Sequence, residues 1–296
     1  MRRLLSRIDK LPDALAYARK HGLHALVVLR DARIVAEEYA DGWNAERAHA
    51  LYSGTKSFWS IAAAAAAQDD LLTLDELVCD TLAAWSEPGK SRVRIRDLLG
   101  LTSGLPFGGL GSGVPTYEAA IKKPLAHTPG TMFTYGGIPL QVFGAVLSRK
   151  LEPKKMTPLA YLKERIFQPI GLRIDSWRKL KDGTETLPTG AFLTAREWMK
   201  FAQLLLQGGE WRGKRIVPKS AIEECWQFGS VNARYGLGFW LYETQGNDRF
   251  TAYASGAGGQ ALYIIPAQKT AVVHFGQSNS YNHERFLRRL LLESAP

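Results

Sequence analysis

Residues 52–60 read YSGTKSFWS, with Ser53 and Lys56 three positions apart where an alanine-rich segment begins. A serine at its ordinary pKa is a weak nucleophile and needs a base beside it. Positions i and i+3 share a helix face, so a helix starting here lets the amine reach the hydroxyl. Burial lowers a lysine pKa, as a lysine base requires. A backbone N–H at a helix start also lies in positive potential suited to an oxyanion. The other reading is a helix cap at Ser53 and a surface charge at Lys56. Ser-x-x-Lys recurs at Ser176 and Lys179, in the polar stretch RIDSWRKLKDG with no apolar helix behind it, so the spacing alone settles nothing.

A third acid or base would strengthen the first reading. Tyr135, in TPGTMFTYGG (128–137), follows a Pro-Gly turn and precedes a helix expected from about residue 139. A neighbouring lysine cation lowers a tyrosine pKa from its usual value near ~10. A plain core tyrosine is the alternative. Other chemistries find less. His21, His24, His49, His127, His274 and His283 form no HExxH or other tight ligand set, so no metal is expected, and His274 reads as a core or edge histidine of a strand. Gly276-Gln277-Ser278-Asn279-Ser280 follows a strand but lacks the second glycine of a nucleophile elbow. Residues 256–261, GAGGQA, fit a dinucleotide fingerprint, yet a strand rather than a helix follows. Those glycines instead suggest a close backbone approach beside a cleft.

The elements that must position these residues are legible in outline. An amphipathic helix is predicted over 11–21, and strands over 23–30 and 33–39 joined by the short link Asp31-Ala32 as a hairpin. A buried helix is predicted over 53–68. From about 69 to 231 the signals are mainly helical, clearest over 139–149, 158–167 and 195–207, with Gly208-Gly209 ending the last. A glycine-rich loop, GLPFGGLGSG, spans 104–113. Strands are predicted over 235–242, 250–254, 260–265 and 270–275, then a helix over 282–293. Strands from both ends around a helical middle give an α/β fold of the α+β type. One antiparallel sheet is built from the two termini, flanked by helices, with a large helical insertion. The whole chain, 1–296, is expected to form a single domain, with an α/β part (about 1–50 and 232–296) and a mainly helical part (about 51–231).

The totals restrict the function further. The chain has 296 residues, 46% hydrophobic and 22% charged, as for a soluble globular protein. Cys79 and Cys225 are far apart and fit neither a disulfide framework nor a zinc knuckle, which suits a reducing, cytoplasmic setting. The N-terminus is basic but lacks the apolar core of a signal peptide, and the apolar run at 61–67 is too short to span a bilayer. The net charge of +10 would suit nucleic acid. The cations, however, fall in small scattered groups (Arg2 and Arg3, Arg92 to Arg96, Arg178 to Lys181, Arg288 and Arg289) without interleaved aromatics. Neither a nucleic-acid nor a membrane partner is expected.

Taken together, the residues resemble the serine β-lactamase and penicillin-recognising hydrolase superfamily, nearest its class C β-lactamase-like branch of carboxylesterases and nylon-oligomer amidases. Ser53-Gly-Thr-Lys56 is similar to that family's Ser-x-x-Lys, Tyr135-Gly-Gly137 to its Tyr-x-Asn, and Ala254-Ser255-Gly256 falls where Lys-Thr-Gly would lie. RDLLGLTSGLP (96–106), FQPIGL (167–172), LTAREWMKFAQLLLQGGEWRGKRIVP (193–218), YGLGFW (235–240) and GAGGQALYIIP (256–266) agree in order and spacing, from about residue 25 to 290.

The resemblance implies a β-lactamase/transpeptidase-like fold and an acyl-enzyme on Ser53. Lys56 and Tyr135 share the proton, and either is the immediate base. The N–H groups of Ser53 and Ala257 form the oxyanion hole, and Gly137, Ser255 and Gly256 line the substrate site. No cofactor is implied. Two departures bear on the substrate. Gly137 replaces the usual asparagine, and Ala254 replaces a cation that helps hold a substrate carboxylate, though Arg234 could supply a charge from elsewhere. A small neutral ester or amide is therefore expected. The alternatives are β-lactamase or D,D-peptidase activity on the same site, or a ligand-binding homologue without catalysis. The sequence does not specify the oligomeric state.

Overall fold

The computed structural model describes residues 11–243 and 250–291. Leu23–Arg30 (β1) and Arg33–Tyr39 (β2) form the expected hairpin. Its two-residue turn uses left-handed backbone at Asp31 (φ 46°) and Ala32 (φ 62°), which matches the twist of the flanking strands. Trp240–Glu243 (β3), Phe250–Gly256 (β4), Gln260–Ile265 (β5) and Thr270–Gly276 (β6) complete a six-stranded sheet in the order β2-β1-β6-β5-β4-β3. Every pairing is antiparallel. Strands from both ends of the chain thus lie side by side at the centre.

Alternation along the strands sorts the core. Ala25, Val27, Ala252, Ala254, Leu262 and Val273 face the larger core, where Ala195–Leu206 (α4) packs. Leu26, Val28, Tyr253, Tyr263 and Val272 face a smaller one, closed by Leu11–Lys20 (α1) and His283–Leu290 (α5). Thr194 caps α4 by accepting from the Glu197 N–H, and left-handed Gly208 and Gly209 follow its end. The remaining long helices are Lys56–Gln68 (α2) and Ile138–Leu151 (α3). In α2 every residue from Lys56 to Ala66 is buried, and its small side chains let neighbours pack closely on all faces.

Several expectations need correction. The helix predicted from Ser53 is preceded by a 3-10 turn, Tyr52–Thr55, and α2 proper begins at Lys56. The helix over 158–167 is α-helical only through Pro158–Leu162 and widens into a π-helical turn, Lys163–Phe167. The strand over 235–242 starts only at Trp240. Before it the chain turns on itself, with the Gly236 N–H donating to the Phe239 carbonyl and left-handed Gly238 pressed against Ser60. The helix over 282–293 runs His283–Leu290, capped by the Asn282 side chain. Its predicted end at 292–293, like Arg2 and Arg3, lies outside the described residues.

Candidate active site

Tyr52 has left-handed backbone (φ 46°), which turns the chain out of a short bridge at Ala50 and into the 3-10 turn. Ser53 then projects, partly exposed, with no side-chain cap at the start of either helical segment. The capping alternative for Ser53 is thereby removed. Its hydroxyl meets the amine of Lys56, whose Nζ donates to Ser53 Oγ at 2.9 Å and to the Pro188 carbonyl at 3.4 Å. Lys56 is only 1% exposed, and burial alone lowers its pKa from 10.5 to about 7. Among the described residues no carboxylate forms an ion pair with it. A lysine that would be surface charge in an exposed helix is here an amine close to half neutral at physiological pH.

Tyr135 arrives from the loop before α3. The Ser53 and Trp240 side chains act on its hydroxyl, its ring stacks on the Trp240 ring at 5.5 Å between centroids, and it meets the Tyr235 ring edge-on at 6.2 Å. The Lys56 amine lies 4.8 Å from the Tyr135 ring centroid. Burial raises the Tyr135 pKa, while the neighbouring polar side chains of Ser53 and Trp240 oppose the rise. The expectation that a lysine cation lowers this pKa is therefore reversed. In so buried a site, desolvation disfavours ammonium and phenolate alike, so the neutral forms of both side chains are favoured.

The end of β4 forms the other side of the site. β3 stops pairing where Trp240 faces Tyr253, so residues 254–256 extend beyond it toward the Tyr52–Thr55 turn. Gly256 runs so close to the Leu51 carbonyl that a β-carbon there would overlap it. This is the backbone approach the glycine run suggested, and it leaves exposed Ala257 lining a cleft that Tyr52 of the serine turn also lines. Ala254 is buried in the larger core. The hydroxyl of Ser255 is hydrogen-bonded to His283 Nε2 at 2.9 Å. Arg234, considered as a substitute cation, is paired with Glu284 at 2.9 Å.

Gly137 has no room for any side chain. A β-carbon would overlap the Gly109 carbonyl and lie 2.8 Å from Pro188 Cγ. The loop 104–113 is seated there by the Gly137 N–H, which donates to the Gly108 carbonyl at 2.8 Å. Gly108 and Gly136 also pair as a parallel bridge. Backbone of the loop thus fills the space in which a side chain at 137 would lie.

Sequence reasoning missed several supporting residues. The segment 187–191 wraps the serine turn: Pro188 accepts from Lys56, Leu187 accepts from Trp59 Nε1 at 2.6 Å, and the Ala191 carbonyl accepts from the Leu51 N–H at 2.9 Å. Trp198 packs against Gly54, where a β-carbon would fall 2.8 Å from its ring. The stretches TAREWMK (194–200) at the start of α4 and YGLGFW (235–240) at the start of β3 contain Trp198 and Trp240, but nothing local ties either to Ser53. The second Ser-x-x-Lys is separate, since Ser176 is exposed in a short outer strand.

The model of the family described as Beta-lactamase matches residues 14–295, nearly the whole chain. The chain belongs to the beta-lactamase family. Solved structures share this fold at low sequence identity. A family VIII carboxylesterase has 18% identity and a TM-score of 0.79, with 96% of each chain covered. A Bacillus anthracis protein provisionally described as a 6-aminohexanoate-dimer hydrolase has 19% identity and a TM-score of 0.78, covering 97% of this chain and 83% of that one. A penicillin-binding protein homologue from Caulobacter crescentus has 16% identity and a TM-score of 0.74, with 96% of each chain covered. No curated protein matches closely enough in sequence to be counted a relative. Within this beta-lactamase-family chain, no group of three His, Cys, Asp or Glu side chains among the described residues could hold a metal. No helix among them is long and apolar enough to cross a membrane.

Proposed function

We propose that this beta-lactamase-family protein is a serine hydrolase that cleaves small, uncharged esters or amides through an acyl-enzyme on Ser53. The observation that carries the reading is the 2.9 Å contact between Ser53 Oγ and a buried Lys56 whose pKa is lowered to about 7. Neutral Lys56 takes the Ser53 proton as Oγ attacks the carbonyl carbon. The carbonyl oxygen, now anionic, is held by the backbone N–H groups of Ser53 and Ala257. The Tyr135 phenol gives its proton to the leaving alcohol or amine and regains one from the Lys56 ammonium. Water then attacks the acyl carbon, Lys56 takes its proton, and the carboxylic acid leaves as Ser53 recovers its hydrogen.

The substrate class follows from the two walls. Ala254, where a cation would hold a substrate carboxylate, is apolar, and Arg234, considered as its substitute, already pairs with Glu284. Position 137 carries no amide side chain to bind an acylamino group. Both features favour simple esters over β-lactams and cell-wall peptides. Free Cys79 and Cys225 accord with a cytoplasmic setting.

The test is kinetic. Wild type is expected to hydrolyse p-nitrophenyl butyrate well and nitrocefin poorly, and Ser53→Ala is expected to hydrolyse neither. Full ester turnover by Ser53→Ala would reject the reading.

A further inference from the structure

Between β4 and β5 the chain makes a single 3-10 turn, Ala257–Gly259, with left-handed backbone at Gly258 (φ 80°) and Gly259 (φ 90°). All three of its carbonyls are held, each by a different residue. The Ala257 carbonyl accepts from Gln260 Nε2 at 3.1 Å, the Gly258 carbonyl from the Ser278 N–H at 3.1 Å, and the Gly259 carbonyl from His274 Nδ1 at 2.7 Å. The first N–H of a helical turn finds no partner within it. Here that is the Ala257 N–H, the group that meets the anionic oxygen in the function proposed above.

Two of the three donors are buried side chains: Gln260 is 4% exposed and His274 is fully buried. The Gln260 amide is fixed at both ends, because Nε2 also donates to the Gly276 carbonyl at 2.6 Å and Oε1 accepts from the Gly276 N–H at 3.3 Å. It bonds the end of β6 as a further peptide group would, and gives its remaining hydrogen to Ala257. His274, in β6, has its ring stacked on Tyr281 at 4.2 Å. A carbonyl only accepts, so Nδ1 carries the proton, and burial keeps the ring neutral, with its pKa lowered to about 3. Its Nε2 is then left, among the described residues, without a partner.

Solvation does not call for either side chain. Ala257 is exposed, so water would satisfy its carbonyl at little cost. A buried amide and a buried imidazole with an orphan nitrogen each carry a desolvation penalty that apolar residues avoid. What they add is fixed geometry. Two adjacent glycines leave the turn conformationally free by themselves. With its carbonyls tied to β6 and to Ser278, it cannot rotate its peptide planes without breaking bonds. At its start Gly256 is already pressed against the Leu51 carbonyl. The direction of the Ala257 N–H is therefore set before a substrate arrives, the condition under which an oxyanion donor is most effective.

We infer that Gln260 and His274 are positioning residues of the oxyanion hole: through the carbonyls of Ala257 and Gly259 they hold the Ala257 N–H toward the developing anion. Neither acts on the reacting atoms itself, and neither exchanges a proton with them. The inference rests on the hydrolase reading.

The experiment measures kcat and KM for p-nitrophenyl butyrate, affinity for butylboronic acid, and melting temperature, with kinetics run where every variant is folded. The boronic acid is a stable counterpart of the anionic intermediate. Ser53 Oγ bonds to boron, its proton passes to Lys56, and one oxygen of the tetrahedral boronate anion lies in the oxyanion hole. Gln260→Met keeps the length and removes both donated hydrogens. It is expected to lower kcat about ten- to a hundredfold and to leave KM within about twofold, as for an interaction made only in the transition state. Boronic acid affinity should fall in parallel with kcat/KM, and the pH profile should keep the wild-type apparent pKa, since Lys56 is untouched. At position 274 a positioning role and a merely structural one predict opposite orders. His274→Asn places Nδ2 as many bonds from the backbone as the lost Nδ1 and so keeps a donor for Gly259. His274→Leu removes the donor but suits the neighbouring Tyr281 and Phe286 rings. The asparagine variant should melt lower than the leucine variant and yet turn over faster. Unchanged kcat in Gln260→Met, a loss confined to KM, or a leucine variant at 274 that is both more stable and more active would overturn the inference while leaving the hydrolase reading intact. No ester hydrolysis by wild type would overturn both.

Discussion

The carbonyl oxygen of Gly109 occupies the place a β-carbon on Gly137 would take. The glycine at 137 is thus not simply a lost amide side chain. It is the condition for seating the loop 104–113 against the Tyr135 segment, through the Gly108 to Gly137 hydrogen bond. Gly137→Asn should therefore fail to create β-lactam hydrolysis. It should also destabilise the fold by ~2 kcal/mol or more through overpacking. Thermal melting and nitrocefin assays check both outcomes; an equally stable variant that gains nitrocefin turnover would contradict the interlock.

The activity should depend on pH through Lys56. Only the neutral amine accepts the Ser53 proton, and its pKa is lowered to about 7. For a short-chain ester, kcat/KM should rise with pH and level off with an apparent pKa near that value. The measured constant belongs to the coupled Lys56–Tyr135 pair rather than to one residue. A profile flat from pH 5.5 to 9 would exclude Lys56 as the base.

Stability should depend on pH through the same group. The folded-state pKa of about 7 lies below the ordinary 10.5, so between the two the unfolded chain binds the extra proton. Stability then rises with pH across that window, and the burial penalty is fully present below pH 7. Lys56→Met should be inactive yet more stable than wild type at pH 6 by an amount on the order of a few kcal/mol, less whatever the two lost hydrogen bonds contributed. Urea unfolding at pH 6 and pH 9 measures this: the advantage of the methionine variant should shrink at the higher pH. A variant less stable at both would show that the amine is stabilised rather than strained by its surroundings.

Tyr135→Phe isolates the phenol. The ring stack on Trp240 remains, while the hydroxyl on which Ser53 and Trp240 act is removed. The expected loss is roughly 10²- to 10⁴-fold in kcat, as for removal of a positioned acid or base, with little change in melting temperature. Retained kcat would assign all proton transfer to Lys56.

What could be read from the chain beforehand follows from how local each signal is. Ser53 and Lys56 are three residues apart, so their contact needs only a turn, even though that turn is 3-10 rather than the start of an α-helix. The strands over 23–39 and 260–275 carry alternating apolar faces that survive without context. Pro188 reaches Lys56 across 132 positions, and His283 reaches Ser255 across 28. No periodicity encodes such meetings, because they depend on where the sheet and the helical part come together. The Tyr135 pKa rises where the sequence suggests a fall for the same reason: burial, which only the folded chain establishes, is the largest cause. Gly137 was visible as a departure from the family pattern, but its cause lay in Gly109, on a different loop.

The most direct test of the central claim is intact-protein mass spectrometry after incubation with a fluorophosphonate. Wild type is expected to gain the mass of one phosphonyl group, located by peptide mapping on Ser53, and Ser53→Ala is expected to gain none. An unmodified wild type, or an adduct on another residue that persists in Ser53→Ala, would contradict it.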